Sequence, residues 1–214
     1  MEIDRLRFSS QLNRLMAETA IATKRQITEI RPFVCDGNPL ETEVFVVGTN
    51  AASTVPWSQF WDPSKCSFDK NAWFTAYKVA RQQKPLSAGK TRRTSVSRSR
   101  SRIDIFVNGL ASKRKVLETN VYSVSTPSEN ELHPKDRLSS IFEFLVDQIK
   151  PQLLFVHGET ARAFLEAKYG IDALGGQAVI RLPHGDTPAI LTSHLAARKG
   201  GVTNQMIATW AAQY

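Results

Sequence analysis

Glu43-Val44-Phe45-Val46-Val47-Gly48-Thr49-Asn50 is the stretch that decides how the rest of the chain is read. Four consecutive apolar side chains, three of them β-branched and closed by a glycine, describe a strand buried on both faces that feeds a loop. Lys115–Val124 has the same character, with Val116, Val121 and Val124 supplying β-branched side chains. Leu153–Val156 is a third such run and leaves through His157-Gly158. Between the second and third runs, Leu138, Ile141, Phe142, Leu145 and Ile149 recur at helical spacing until Pro151 stops them. Glu159–Tyr169 reads as a further helix capped by Gly170. Ala178–Arg181 and Ala189–Thr192 form the last strand or hairpin around His184-Gly185-Asp186.

Toward the N-terminus, Leu12, Leu15, Met16 and Thr19/Ala20 make one apolar stripe, so a helix is expected up to about Ile30. At the other end, Thr203–Ala212 is expected to be a helix that turns Met206, Ile207 and Trp210 inward. The aromatic-rich stretch from Trp57 to Tyr77 reads as irregular. Strands that alternate with helices imply an α/β class, here a three-layer α/β/α sandwich with a mainly parallel four-stranded sheet. A single domain over residues 1–214 is expected, with an N-terminal helical extension over 1–34 and a basic loop segment over 81–102.

The apolar content of 42% excludes wholesale disorder. No apolar run approaches the roughly 20 residues a helix needs to cross a bilayer, so no membrane partner is expected. The charged start Met1-Glu2-Ile3-Asp4-Arg5 carries no signal-peptide pattern, and Cys35 and Cys66 read as two reduced thiols. A cytoplasmic protein follows, associated with the nucleoid in a prokaryote or nuclear in a eukaryote.

Charge is unevenly placed. The 28 Lys+Arg exceed the 20 Asp+Glu by eight, and residues 81–102 alone hold eight cations and no acid. The body is therefore neutral and carries one basic segment, running from Arg81 and Lys84 through Arg98, Arg100 and Arg102. Such a block favours polyanions by counterion release, or else it is a solvated loop without a ligand.

Parallel sheets place ligands beyond the carboxyl ends of their strands. Three exits carry polar residues able to converge there: Gly48-Thr49-Asn50, Thr119-Asn120-Val121-Tyr122 and Thr192-Ser193-His194. The set holds two amides and an imidazole and no carboxylate, which suits the binding of a polar heterocycle and fits metal ligation poorly. Neither a His-Glu-x-x-His pattern, nor Gly-x-Ser-x-Gly, nor a phosphate-cradling glycine loop is present.

Four segments in order resemble the uracil-DNA glycosylase superfamily: Val46–Ala52, Glu118–Val121, Ile149–Ala161 and Leu191–His194. They are similar to its first catalytic loop, its second strand, its Lys-Pro, apolar strand and Gly-x-x-Ala element, and the histidine that ends its fourth strand. The resemblance spans roughly residues 35–212. The chain departs from the pattern at Ala51, where proline is usual, and at Leu195-Ala196, where Pro-Ser follows the histidine. The four cysteines of the iron–sulfur branches are missing, so neither cluster, metal nor organic cofactor is expected.

The resemblance implies a monomeric enzyme that flips a damaged base out of single- or double-stranded DNA and hydrolyses its N-glycosidic bond. Asn50 would orient the water, and His194 would donate to the base carbonyl as charge develops there. Asn120 would read the base edge, with Gly48, Thr49, Ala51 and Ser193 around it and Phe60, or else Trp61, stacked on the ring. Ser123, Ser125 and Thr126, together with Arg198, Lys199, Gly200 and Gly201, would grip phosphates, and Leu195 would wedge into the stack. The alternatives are a catalytically decayed module that binds nucleic acid or a nucleotide on the same fold, and an RNA- or nucleotide-processing protein.

Overall fold

The computed structural model describes residues 2–52, 55–86, 89, 91–110, 113–174, 177–197 and 201–214. Helix α1 (Glu2–Thr23) is followed by strands β1 (Phe33–Cys35) and β2 (Val44–Gly48), then the small hairpin β3 (Trp61–Asp62) and β4 (Ser67–Phe68). Helices α2 (Lys70–Gln83) and α3 (Arg98–Leu110) lead to β5 (Val116–Asn120), α4 (Ser140–Ile149), β6 (Leu153–His157) and α5 (Glu159–Tyr169). Strands β7 (Ile171–Leu174), β8 (Gln177–Leu182) and β9 (Gly185–Thr192) precede the closing helix α6 (Asn204–Gln213).

The α/β class is as expected, but the sheet is larger and more mixed than four mainly parallel strands. Seven strands lie in the order β1-β5-β2-β6-β9-β8-β7. The central four, β5-β2-β6-β9, are mutually parallel. Antiparallel strands flank them, β1 beside β5 and the β8–β7 pair beside β9. The added strands are short or hairpin-linked, which is how antiparallel pairs attach without a crossover helix.

Each central strand is buried on both faces and divides its side chains between two cores. Phe45 and Val47 of β2 join Leu12 and Met16 of α1, Leu145 of α4 and Leu165 of α5. Val44 and Val46 join Phe106 and Leu110 of α3 and Ile207 and Ala211 of α6. Helices therefore cover both faces of the sheet. Burying a Leu or Phe side chain contributes about 1.5–3 kcal/mol each, so these two cores dominate the stability.

Three local expectations need correction. The first helix stops at Thr23, because Lys24 takes a left-handed conformation (φ 57°) and turns the chain. The aromatic stretch is not irregular throughout: Asp69 accepts a hydrogen bond from the Ala72 N–H and starts α2, whose Trp73 is fully buried. In α6, Ile207 is buried as expected, but Met206 points outward and is 44% exposed. No helix among the described residues is long and apolar enough to cross a membrane. Both cysteines are buried free thiols, and burial pushes the Cys35 pKa up.

Candidate functional site

Neighbouring strands β2 and β6 send the chain to opposite sides of the sheet. After β2 it runs by way of α2 to α3, which packs on one core, and after β6 it enters α5, which packs on the other. A crevice opens where such connections part. Here it is a cleft of about 540 Å³ whose lining includes Thr49, Asn50, Asn120, His157 and His194. Side chains 50, 120 and 194, far apart in sequence, thus share one wall.

Asn50 is held by a short relay. Its Nδ2 donates to the Thr126 hydroxyl over 2.6 Å, and that hydroxyl donates to the Ser128 carbonyl over 2.7 Å. The relay fixes the amide's orientation, since only nitrogen can donate to a hydroxyl whose proton is already committed. Among the described residues nothing donates to Oδ1 of Asn50, which leaves that oxygen as the acceptor available to water or ligand.

Asn120 lies against Gly48. A Cβ built on Gly48 would come within 2.9 Å of Oδ1 of Asn120 and 2.9 Å of Cε1 of His157, so glycine is required there by space. No described residue hydrogen-bonds the Asn120 amide, and its donor and acceptor both remain for a ligand. His194 sits at the exposed end of the cleft, and its Nδ1 accepts the Ala196 N–H over 3.2 Å. In the neutral ring the proton is then on Nε2, which makes that nitrogen a donor.

His157 was not singled out as a site residue from the sequence. It ends β6, and its ring stands edge-on to His194 with 6.1 Å between centroids. Burial, then the neighbouring His194 and Arg100, lower its pKa to about 3. It is therefore a neutral imidazole at any physiological pH. Its buried Nδ1 has no hydrogen-bond partner among the described residues. The only signal in the sequence was its place as a polar residue at the exit of an otherwise apolar strand.

The basic segment is partly internal. Arg100 is 7% exposed and forms a two-pronged ion pair with Glu118, which also meets Nζ of Lys70 at 2.9 Å. A further bond runs from Arg100 Nε to Asp104 over 2.9 Å. Burial alone would raise the Glu118 pKa, but Arg100 and Lys70 together hold it down at about 2. Arg102 donates to the Leu195 carbonyl. Arg81, Lys84, Ser97 and Ser99 line the cleft, whereas Arg92 and Arg98 are exposed.

Several expected site residues lie elsewhere. Trp61 is 8% exposed and packs with Phe33 and Trp57, and Phe60 packs on Phe68, so neither can stack on a ring in the cleft. The aromatics that do line it are Trp73 and Tyr77 of α2. Leu195 is fully buried in the core under α3 and α6, which makes it a packing residue and not a wedge. Ser123 is buried with its hydroxyl out of reach of a phosphate. Ala51 is buried, and its carbonyl accepts the Thr126 N–H. Ser125 and Ser193 are partly buried and do not line the cleft, and Gly201 likewise stands outside it. Arg198, Lys199 and Gly200 lie outside the described residues. Among the described residues no three His, Cys, Asp or Glu side chains group as a metal site would require.

Fold and cleft together define an α/β protein whose cleft at the carboxyl ends of its parallel strands brings two amides and two imidazoles together beside a charged wall of Arg31, Arg81, Lys84, Arg100, Glu118 and Glu129. No protein-family model matches the chain, and no curated protein matches it.

Proposed function

We propose that the chain is a DNA glycosylase akin to the uracil-DNA glycosylase superfamily, hydrolysing the N-glycosidic bond of uracil or another deaminated base that has been flipped out of DNA. The observation that carries this reading is that Asn50, Asn120 and His194 line a single cleft beyond the strand ends. In the reaction the bond from C1′ to the base nitrogen breaks and the electron pair leaves with the base. Water then adds to C1′, and its proton passes through solvent to the departed base anion, leaving neutral base and abasic sugar. Asn50 Oδ1, fixed by the Thr126 relay, orients that water. Nε2 of His194 donates to the carbonyl oxygen on which negative charge grows, and removing a donor of this kind costs about 100- to 1,000-fold in rate. Asn120 pairs with the edge of the base, its amide offering a donor and an acceptor side by side.

A second reading, a binding module without chemistry, is favoured by one feature. Thr49, Asn50, Asn120, His157 and His194 include no carboxylate, and of the two carboxylates elsewhere in the lining Glu118 is tied to Arg100 and Lys70 while Glu129 accepts from the Thr160 hydroxyl. An amide cannot take the proton from water, so a weakly activated water must suffice.

One experiment separates the two. Wild type, Asn50→Ala and His194→Ala are incubated with single- and double-stranded oligonucleotides that carry uracil, hypoxanthine or xanthine, and abasic sites are then cleaved with alkali. Strand scission by wild type that both variants lose supports the glycosylase. Salt-sensitive binding without scission supports the module, and release of base only from RNA or free nucleosides refutes action on DNA.

A further inference from the structure

The cleft lining includes further residues besides those just assigned, and that part of it has a different chemistry. There Arg31 faces Trp73, with the guanidinium 5.7 Å from the ring centroid, and Arg100 approaches the same ring at 6.0 Å. Three cations meet around this point, Arg31, Arg100 and Lys70, against two carboxylates, Glu118 and Asp104. Arg100 takes both carboxylates and Lys70 shares Glu118. The Arg31 guanidinium has no hydrogen bond and no ion pair among the described residues. Arg31 is thus a lining cation without a carboxylate partner among the described residues, while Glu129, the lining's other carboxylate, accepts from the Thr160 hydroxyl.

Arg31 is partly buried, and an anion that shares the cleft would offset the cost of its partial desolvation. The surroundings bear this out. Desolvation, reinforced by Arg100 and opposed by Glu118, brings the Arg31 pKa down to about 10. Arg81 and Lys84 reach the same lining from the end of α2, where among the described residues they bond the carbonyls of Thr94 and Ala52. Ser97 and Ser99, at the N-terminal end of the 13-residue helix α3, line the same cleft, and the Ser97 hydroxyl accepts the Arg100 N–H over 3.1 Å. A volume of about 540 Å³ is also far more than a single base fills.

We infer that this part of the cleft is a phosphate subsite, with Arg31 as its anchor and Arg81 and Lys84 at its mouth, so that the ligand is a nucleotide held by base and phosphate together. The inference rests on reading the other part as a base site. It narrows the substrate class: a phosphate lies inside the same cavity as the ring, and a bare nucleoside or free base is a poor ligand.

The test compares deoxyuridine, its 3′- and 5′-monophosphates and inorganic phosphate by calorimetric titration and thermal unfolding, with ionic strength held constant by chloride. Wild type is expected to bind one monophosphate roughly 10- to 100-fold more tightly than the nucleoside, the gain typical of a charge-assisted contact. Inorganic phosphate is expected to raise its melting temperature. Arg31→Gln abolishes both effects, Arg31→Lys keeps part of them, and Lys84→Gln weakens them. The unliganded Arg31→Gln protein is expected to be at least as stable as wild type, because an uncompensated charge has gone. Equal affinity for nucleoside and nucleotides, or a phosphate response unchanged in Arg31→Gln, overturns the inference. Should Arg31→Gln not fold, a weakened phosphate preference in Arg31→Lys still supports the subsite and a preference equal to wild type overturns it. A phosphate preference in a protein that never cuts DNA sinks the glycosylase and keeps the subsite. Base release that is indifferent to Arg31 does the reverse.

Discussion

Glu118→Gln is the sharpest single perturbation of the cleft wall. The side chain is 8% exposed and balances Arg100 and Lys70, and its pKa of about 2 lies well below the ordinary 4.5. That depression corresponds to about 3 kcal/mol of stability at neutral pH. The sign follows from proton counting. The unfolded chain takes up the Glu118 proton first as pH falls, so the contribution is complete above pH 4.5 and disappears as pH falls toward 2. Asp104, whose pKa burial raises, acts in the opposite sense, but both proteins retain it. Glutamine keeps the shape and removes the charge, leaving three cations against Asp104. The variant should therefore be about 3–5 kcal/mol less stable than wild type at pH 7, the usual cost of breaking a buried pair. Urea unfolding at pH 7 and pH 3, with linear extrapolation, measures the gap. It should shrink by about 2 kcal/mol between pH 7 and pH 3. A gap under about 1 kcal/mol at pH 7, or one that does not change with pH, would refute the electrostatic account of this wall.

Other substitutions probe the remaining parts. His157→Gln should remove an acid weakness: the wild-type ring resists protonation down to about pH 3 whereas the unfolded one does not, so between pH 7 and 5 wild type loses about 2 kcal/mol that the variant keeps, as unfolding at both pH values would show. Gly48→Ala drives a methyl group into Asn120 and His157, so uracil release should fall about 100-fold in a protein that still folds, a loss read from single-turnover cleavage. Thr126→Val frees the Asn50 amide to rotate, and cleavage should drop about tenfold with binding of the oligonucleotide unchanged in a titration. Leu195→Ala opens a cavity in the core and should cost about 2–5 kcal/mol in denaturant unfolding while leaving affinity for DNA as it was.

The parallel quartet was legible because each of its strands is an apolar run ending at a polar exit, and the wall of Asn50, Asn120 and His194 follows from those exits. The flanking strands were not. β1 is three residues long, too short for a period, and β7 carries Asp172 among its four residues. Helix α2 was hidden because its stripe, Trp73, Ala76, Tyr77 and Ala80, is mostly aromatic and small, although Asp69 at its start was a usable capping signal. The fate of the arginines was beyond reach for another reason. Nothing in Ser97–Arg102 distinguishes Arg100, buried on Glu118, from Arg98, in solvent, until the helix phase is known. Phe60 and Trp61 were misassigned because aromatic character alone does not separate a ring offered to a ligand from one packed in a core.

The two edges of the sheet have a consequence for behaviour in solution. At one margin β1 is brief and wholly covered, and at the other Asp172 and Arg181 form an ion pair across β7 and β8. A foreign strand finds neither a long bare ladder nor an uncharged flank to extend. Concentrated samples of this protein should accordingly resist fibrillar self-association, even though its central strands are as apolar as those of many aggregation-prone segments.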